Sequence, residues 1–167
     1  IIGLNIQAQN VNQAVYLAEN GVTIKAARWA KVGDTGLVNG VTYTIVDRAT
    51  LSSMIENGKD VSKVCTSLIN DMSFIFNGAS AFNQDISSWD VSNVTDMSGI
   101  FGATSFNQDI GSWDVSNVTD MSDMFSDASM FRQDVSGWDV SNVTDMSSMF
   151  SGASMFNQDV SGWDVSN

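Results

Sequence analysis

Apolar and polar residues alternate in short runs over the first 46 residues of the chain. The dipeptides Asn20-Gly21 and Asn39-Gly40 each separate two runs that are rich in β-forming residues. Asn-Gly between two such runs is typical of a tight hairpin turn. We therefore predict up to four short strands in this part of the chain.

A helical pattern follows the hairpins. Leu51, Met54 and Ile55 fall on one side of a helix, Asp47 precedes it, and Gly58 can end it in a left-handed conformation. We predict one helix over about residues 48–57. Together, residues 1–59 are expected to form a β-rich N-terminal cap with this helix.

From Trp89 the chain repeats one phrase, WDVSNVTDMS, followed by a short variable run and FNQD, and a degenerate copy with Val64 at the tryptophan position precedes it. Four tryptophans fix the period at steps of 24, 25 and 25 residues: Trp89, Trp113, Trp138 and Trp163. The coils of this array, residues 60–167, are expected at about 64–88, 89–112, 113–137 and 138–162, with a partial coil at 163–167. A unit this small buries its apolar face against its neighbours, which indicates a solenoid.

Equivalent apolar positions form columns that predict the core. Two columns contain phenylalanine in every copy: Phe76, Phe101, Phe125 and Phe150, and Phe82, Phe106, Phe131 and Phe156. A column of small residues lies between them, at Ala79, Ala103, Ala128 and Ala153, and the shorter second copy lacks one residue between Thr104 and Phe106. The spacing in Met-Ser-x-Met-Phe predicts a short helix in each coil, and the segment after FNQD predicts a short parallel strand.

Charge is distributed unevenly along the chain. Its formal net charge is −12, but residues 64–167 contain fourteen aspartates and a single basic residue, Arg132. Nucleic acids and anionic membranes are recognised through Lys and Arg, so they are poor partners for this surface. Basic proteins, cations and neutral glycans remain as possible partners.

The residue types argue against an enzyme. The chain has no histidine and one cysteine, Cys65, and a catalytic thiol needs a base beside it. The same aspartates recur in every coil, whereas an active site is a single constellation of residues with distinct roles. We expect Cys65 to be a small, partly buried side chain.

The aspartate columns have two interpretations. Asp85, Asp109, Asp134 and Asp159 are expected to stack about 4.8 Å apart, and such carboxylates repel by about 0.9 kcal/mol in water. Each carboxylate can accept N–H groups in its own turn, or the column can hold Ca²⁺. From the repulsion we expect salt and acidification to raise the temperature of unfolding.

The tryptophans and amides also have a structural and a functional interpretation. The column of Trp89, Trp113, Trp138 and Trp163 either packs along the core or, if exposed, presents a stacking face to sugar rings. The asparagines at equivalent positions, such as Asn93 and Asn117, are expected to form amide ladders.

The phrases WDVSNVTDMS, MFSGAS and FNQDVSGW, with the preceding YTIVDRATLSSMI, resemble the BspA-like surface proteins of bacteria. Their repeat of about 25 residues also occurs in mycoplasma lipoproteins and resembles a leucine-rich repeat. The likeness covers about residues 41–167. It implies a leucine-rich-repeat-like α/β solenoid, export to the cell surface or medium, and adhesion to a protein or glycan at a cell surface or matrix. Many such chains are exported cargo of a secretion machinery with a C-terminal sorting domain.

We therefore expect a non-enzymatic, secreted or surface-displayed adhesin that presents a repetitive acidic face and needs no cofactor. The alternative is a passive stalk, or a segment of exported cargo, that only spaces another domain. Repeated identical faces favour weak multivalent contacts, whose combined strength rises with the number of copies.

Overall fold

The computed structural model describes residues 13–167, and all structural statements below refer to them. The part of the predicted cap in residues 1–12 lies outside the described residues. The first hairpin pairs β1 (Val15–Leu17) with β2 (Ile24–Ala26) in antiparallel register. In the connection, the side-chain oxygen of Asn20 accepts the backbone N–H of Thr23, and Gly21 has a positive φ.

A second hairpin and a two-residue strand form the other sheet. β3 (Thr35–Val38) pairs antiparallel with β4 (Val41–Ile45), and β4 pairs in parallel with β5 (Val64–Cys65). Asn39 and Gly40 have φ values of 50° and 80°. Positive φ at both central residues gives the twist that this two-residue hairpin needs. Asn20-Gly21 also lies in a hairpin connection, as the sequence predicts, but that connection is longer and only Gly21 has a positive φ there.

The helix α1 spans Arg48–Glu56, close to the predicted range. Asp47 caps it by accepting the backbone N–H of Thr50 at 2.8 Å. At its other end, Gly58 has a φ of 62°, and the N–H of Lys59 reaches back to the carbonyl of Met54 at 2.8 Å. This arrangement satisfies carbonyls that a helix end otherwise leaves free.

The predicted fold class, a leucine-rich-repeat-like solenoid with a short parallel strand and a short helix in each coil, is wrong. The described chain has two small sheets and one helix, and all of them lie before residue 66. The segment predicted to be helical is a series of turns, because its third residue has a positive φ in every copy: Phe74, Gly99, Asp123 and Ser148. A right-handed helix cannot accommodate that conformation. The segment after FNQD forms no strand either.

Contacts between successive copies replace regular elements in residues 66–167. Single parallel bridges join Asp71 to Asp96, Asp96 to Asp120, and Asp120 to Asp145. The ring centroids of Phe76 and Phe101, and of the next two pairs in that column, are 5.5 Å apart. The packing is the same from copy to copy because the side chains are the same.

The phenylalanine columns lie in one apolar cluster, which also includes Val46, Leu51 and Val64 from the N-terminal region. The rings of Phe76, Phe101, Phe106, Phe125 and Phe131 are buried, Phe82 is nearly so, and Phe150 and Phe156 in the last full copy are half-buried. A second cluster lies between the two hairpins and contains Val15, Ile24, Ile45 and Cys65. The division of the chain into a cap of residues 1–59 and an array of residues 60–167 stays a prediction.

One member of the alanine column was assigned wrongly. Thr104, not Ala103, takes the place of Ala79, Ala128 and Ala153: its N–H bonds the carbonyl of the preceding phenylalanine as theirs do, it is buried like Ala128 and Ala153, and its hydroxyl donates to the carbonyl of Phe101 at 2.7 Å. Ala103 is exposed with a φ of 54°. The residue that the second copy lacks is therefore the exposed one before Phe106, where the third copy has Met130.

Candidate functional surface

Aspartate turns recur at the same three places of the repeat, except that Cys65 occupies one of these places in the first copy. In the third copy, Asp114 accepts both the N–H and the hydroxyl of Ser116, at 3.2 and 2.6 Å, and Asp134 accepts the N–H of Ser136 at 2.9 Å. Carboxylates that bind the backbone two residues ahead fix a turn locally. Twelve of the fourteen aspartates in residues 64–167 make this contact. The structure thus supports the turn-capping interpretation of the columns.

The four candidate Ca²⁺ ligands each accept an N–H from the residue two positions ahead and are exposed: Asp85, Asp109, Asp134 and Asp159. Within residues 13–167, no three carboxylate or thiol side chains come together in a group that could hold a metal ion. Calcium binding by this column stays a prediction.

The hydrogen bonds in these turns keep the exposed carboxylates charged. Hydrogen bonds from the side chain and backbone of the following serine hold the pKa of Asp134, Asp139 and Asp145 below the usual value of 3.8, and Ser161 has the same effect on the pKa of Asp159. A folded-state pKa below the unfolded one stabilises the fold at higher pH, and this stabilisation is lost as the pH falls through the folded value. These bonds therefore act in the opposite direction to the repulsion between carboxylates, from which acidification was expected to stabilise the protein.

Basic side chains meet the aspartate columns only at their N-terminal ends, within the described chain. Lys63 pairs with Asp60 at 3.5 Å, and Arg48 of α1 pairs with Asp71 at 2.9 Å. Asp60 stands one period before Asp85, and Asp71 stands one period before Asp96. The third ion pair joins Lys25 of β2 to Asp90 at 3.5 Å. The later members of all three columns have no basic partner among residues 13–167.

Asp90 is the buried member of its column, with 3% of its surface exposed. It accepts the hydroxyls of Ser67 at 2.5 Å and Ser92 at 2.6 Å. The thiol of Cys65 lies 3.4 Å from the Ser67 oxygen, and burial raises its pKa, so it stays protonated at neutral pH. This network joins the first sheet to the first two copies, and Cys65 is the small buried side chain that the sequence predicts.

The tryptophan column does not present a face for sugar rings. Trp89, Trp113 and Trp138 are buried and Trp163 is half-buried. Each indole N–H donates to a backbone carbonyl that lies 27 or 28 residues earlier in the chain: to Val61 at 3.0 Å, Ile86 at 3.3 Å, Ile110 at 3.2 Å and Val135 at 3.2 Å. Their rings therefore belong to the core, which was the other interpretation of this column.

Polar side chains form further ladders at the edges of the copies. The amides of Asn93, Asn117 and Asn142 donate to the serine carbonyl of the preceding copy at 2.8, 2.7 and 2.7 Å. The hydroxyls of Thr119 and Thr144 donate to Thr95 and Thr119 carbonyls, both at 3.1 Å. These side chains are committed to the fold, so the exposed carboxylates are the chemically available groups.

Sequence reasoning missed a strip of positions that differ between copies. In each copy the strip includes the residue directly after Met-Ser and the residue two positions after the next phenylalanine. These eight residues have positive φ: Phe74, Gly78, Gly99, Ala103, Asp123, Asp127, Ser148 and Gly152. The columns consist of positions that the copies share, whereas the strip consists of positions at which the copies differ. A comparison of the copies for their differences would have found the strip.

Comparison with known proteins shows one family to which this chain is similar. A family model described as "Mycoplasma protein of unknown function, DUF285" matches residues 47–163. No curated protein and no solved structure matches the chain. No helix within residues 13–167 has the length and apolar character to cross a membrane. Because the matched residues make up more than half of the sequence, the chain belongs to the DUF285 family.

Proposed function

We propose that this protein is a non-enzymatic interaction module that binds a basic protein at a cell surface or in the surrounding matrix. The observation that carries the proposal is the set of exposed aspartates beyond the first copies, which have lowered pKa values or turn hydrogen bonds but no basic partner among residues 13–167. A surface that keeps one sign of charge attracts ligands of the other sign and steers their approach.

The regular recurrence of these carboxylates supports weak, repeated contacts. Asp109, Asp134 and Asp159 occupy the same turn in three successive copies and are all exposed. A partner with several basic groups can meet several copies at once, and its affinity then exceeds that of any single contact. The repeat phrases resemble those of BspA-like surface proteins, and we place the protein with them, secreted or displayed at the cell surface.

The experiment compares the whole chain with a charge variant. Asp109→Asn, Asp134→Asn and Asp159→Asn together remove three charges, while asparagine can still accept the N–H of each turn. The control variant removes three charges from the N-terminal region through Glu19→Gln, Asp34→Asn and Glu56→Gln. Binding to immobilised basic, neutral-glycan and acidic probes is measured as a function of salt.

We expect binding to the basic probes only, weakening as salt rises, because exposed charges are screened over about 10 Å at 0.1 M salt. The repeat-region variant should bind several-fold more weakly, and the control variant should bind like the unaltered chain. Absence of binding to every basic probe would contradict the proposal and favour a passive stalk. Equal loss in both variants would show that net charge matters and the repeat surface does not.

A further inference from the structure

A groove crosses the strip of variable positions where the first three copies meet. It has a volume of about 240 Å³ and is lined by Phe74 of the first copy, Gly99 and Gly102 of the second, and Asp123 and Asp127 of the third. Pockets for drug-sized molecules start at about 300 Å³. This groove therefore suits a single long side chain.

The aromatic wall of the groove is the one phenylalanine of the repeat region that lies outside the core. Phe74 is 54% exposed, whereas the phenylalanines of both columns are buried or half-buried. Its ring lies over Gly99, where an added Cβ would overlap the ring. The neighbouring copy thus provides the space that holds this ring at the surface.

The acidic wall differs from every other carboxylate of the repeat region. Asp123 and Asp127 are the two of its fourteen aspartates whose carboxylates accept no hydrogen bond from the second residue ahead. Within residues 13–167 neither has an ion-pair partner. The other twelve carboxylates also fix turns, so these two are the carboxylates of the repeat region that have no turn contact to give up when they bind a ligand.

We propose that this groove binds an arginine side chain of the partner protein. Charge complementarity selects a cation, and the exposed ring selects the guanidinium group, which stacks on aromatic faces and donates paired hydrogen bonds to carboxylates. Lysine has a compact, strongly hydrated charge and gains less from such a site. The inference rests on the proposed function, because it takes the partner to be basic, and it assigns the contact that makes recognition specific.

The test uses the full chain and two peptides of equal length and charge, one carrying arginine and the other lysine, with affinity measured by calorimetry. We expect the arginine peptide to bind about threefold more tightly. Asp123→Asn with Asp127→Asn should weaken its binding about tenfold, and Phe74→Gly about threefold. Glycine suits the positive φ of position 74, as Gly99 does one copy later, so this variant should fold.

Two controls make the result specific to the groove. Phe74→Tyr keeps the aromatic face and should bind the arginine peptide like the unaltered chain. Asp114→Asn with Asp139→Asn removes the same charge from turns outside the groove; because these aspartates belong to the wider acidic surface, it should weaken binding by only about twofold, less than the groove variant does.

Three outcomes overturn the groove and separate it from the proposed function. If the Asp114 and Asp139 variant weakens binding as much as the Asp123 and Asp127 variant, the charge acts without the groove, and the basic partner still stands. If Phe74→Gly leaves the preference for arginine unchanged, the aromatic wall has no role. If the unaltered chain binds neither peptide, the groove and the basic partner both fail.

Discussion

The N-terminal region (residues 13–65) and the repeat region (residues 66–167) provide hydrogen-bond partners for their backbone N–H and C=O groups in different ways. The first uses two sheets and the helix α1, with hydrogen bonds along and between regular elements. The second has turns and single bridges, and its side chains donate to backbone carbonyls 24 to 28 residues earlier in the chain. Buried backbone groups need hydrogen-bond partners, but these need not come from a helix or a sheet. In the repeat region, side chains of tryptophan, asparagine and threonine provide part of them.

The same two regions differ in charge. The N-terminal region carries all of the basic residues that form ion pairs within the described chain: Lys25, Arg48 and Lys63. They meet the first aspartates of the three columns and no later ones. The difference concentrates uncompensated negative charge on the later copies, which is the surface assigned to the partner.

The largest expected effect is the loss of an aromatic ring from the repeat region. Phe125 is buried, and its ring stacks on Phe101, Phe131 and Phe150. Phe125→Ala should lower the free energy of unfolding by about 3–5 kcal/mol. Leu51→Ala in α1, also fully buried, should lower it by about 2–5 kcal/mol.

Denaturant unfolding of the two variants measures how strongly each region depends on its core. Leu37→Ala is the control, because Leu37 is exposed and its loss should change little. A Phe125→Ala variant that unfolds like the unaltered chain would show that the aromatic column does not hold the copies together.

The next effect compares one position in two successive copies. Asp90 is buried beside Lys25 and Ser67, and Asp114 is exposed with only Ser116 as a partner. Asp90→Ala should lower the free energy of unfolding by about 2 kcal/mol, since it leaves polar groups at the boundary without their acceptor. Asp114→Ala should cost clearly less, and equal losses in thermal unfolding would contradict the assigned role of the boundary network.

A smaller effect concerns two glycines at turns. Gly78 has a φ of 80° and open space around it, so Gly78→Ala should cost about 1 kcal/mol through its backbone alone. Gly99→Ala should cost more, because the new Cβ overlaps the Phe74 ring. Removing that ring with Phe74→Gly should bring the cost of Gly99→Ala close to that of Gly78→Ala, and failure of this rescue would refute the packing of Phe74 over Gly99.

The smallest effect per residue is the response to acid. The serine hydrogen bonds lower the pKa of Asp134, Asp139, Asp145 and Asp159, so protonation removes stability as the pH falls below about 4. Thermal unfolding followed from pH 7 to pH 3 should therefore occur at progressively lower temperature in acid. A rise in unfolding temperature over that range would restore the importance of repulsion within the columns.

Local chemistry was readable from the sequence wherever one residue type determines a turn or a cap. Asn39-Gly40 gave the hairpin because both residues tolerate positive φ, and Asp47 and Gly58 mark the ends of the helix. The short helix predicted in each copy was wrong because residues of types that do not signal a positive φ adopt one in this segment. Residues such as Phe74 and Asp123 adopt positive φ against their own preference, and only contacts with the neighbouring copy impose it.

The acidic surface was predictable in composition but not in geometry. The sequence shows fourteen aspartates after residue 63, and their turn-capping role follows from the serine two residues ahead. By the same rule Asp123, which has Phe125 two residues ahead, caps no turn, but the sequence does not show that Asp127 caps none, because Ser129 stands two residues ahead of it. Nor does it show that Lys25, far away in sequence, pairs with Asp90.

The most direct test of the central claim, that side-chain ladders between copies hold the repeat region, is hydrogen exchange at the five indole N–H groups, followed by NMR. Trp89, Trp113 and Trp138 donate to backbone carbonyls 27 or 28 residues earlier in the chain and are buried, while Trp29 is 55% exposed and serves as the internal reference. The account predicts slow exchange at these three, intermediate exchange at the half-buried Trp163 and fast exchange at Trp29. Exchange of all five indoles at the rate of Trp29 would contradict it.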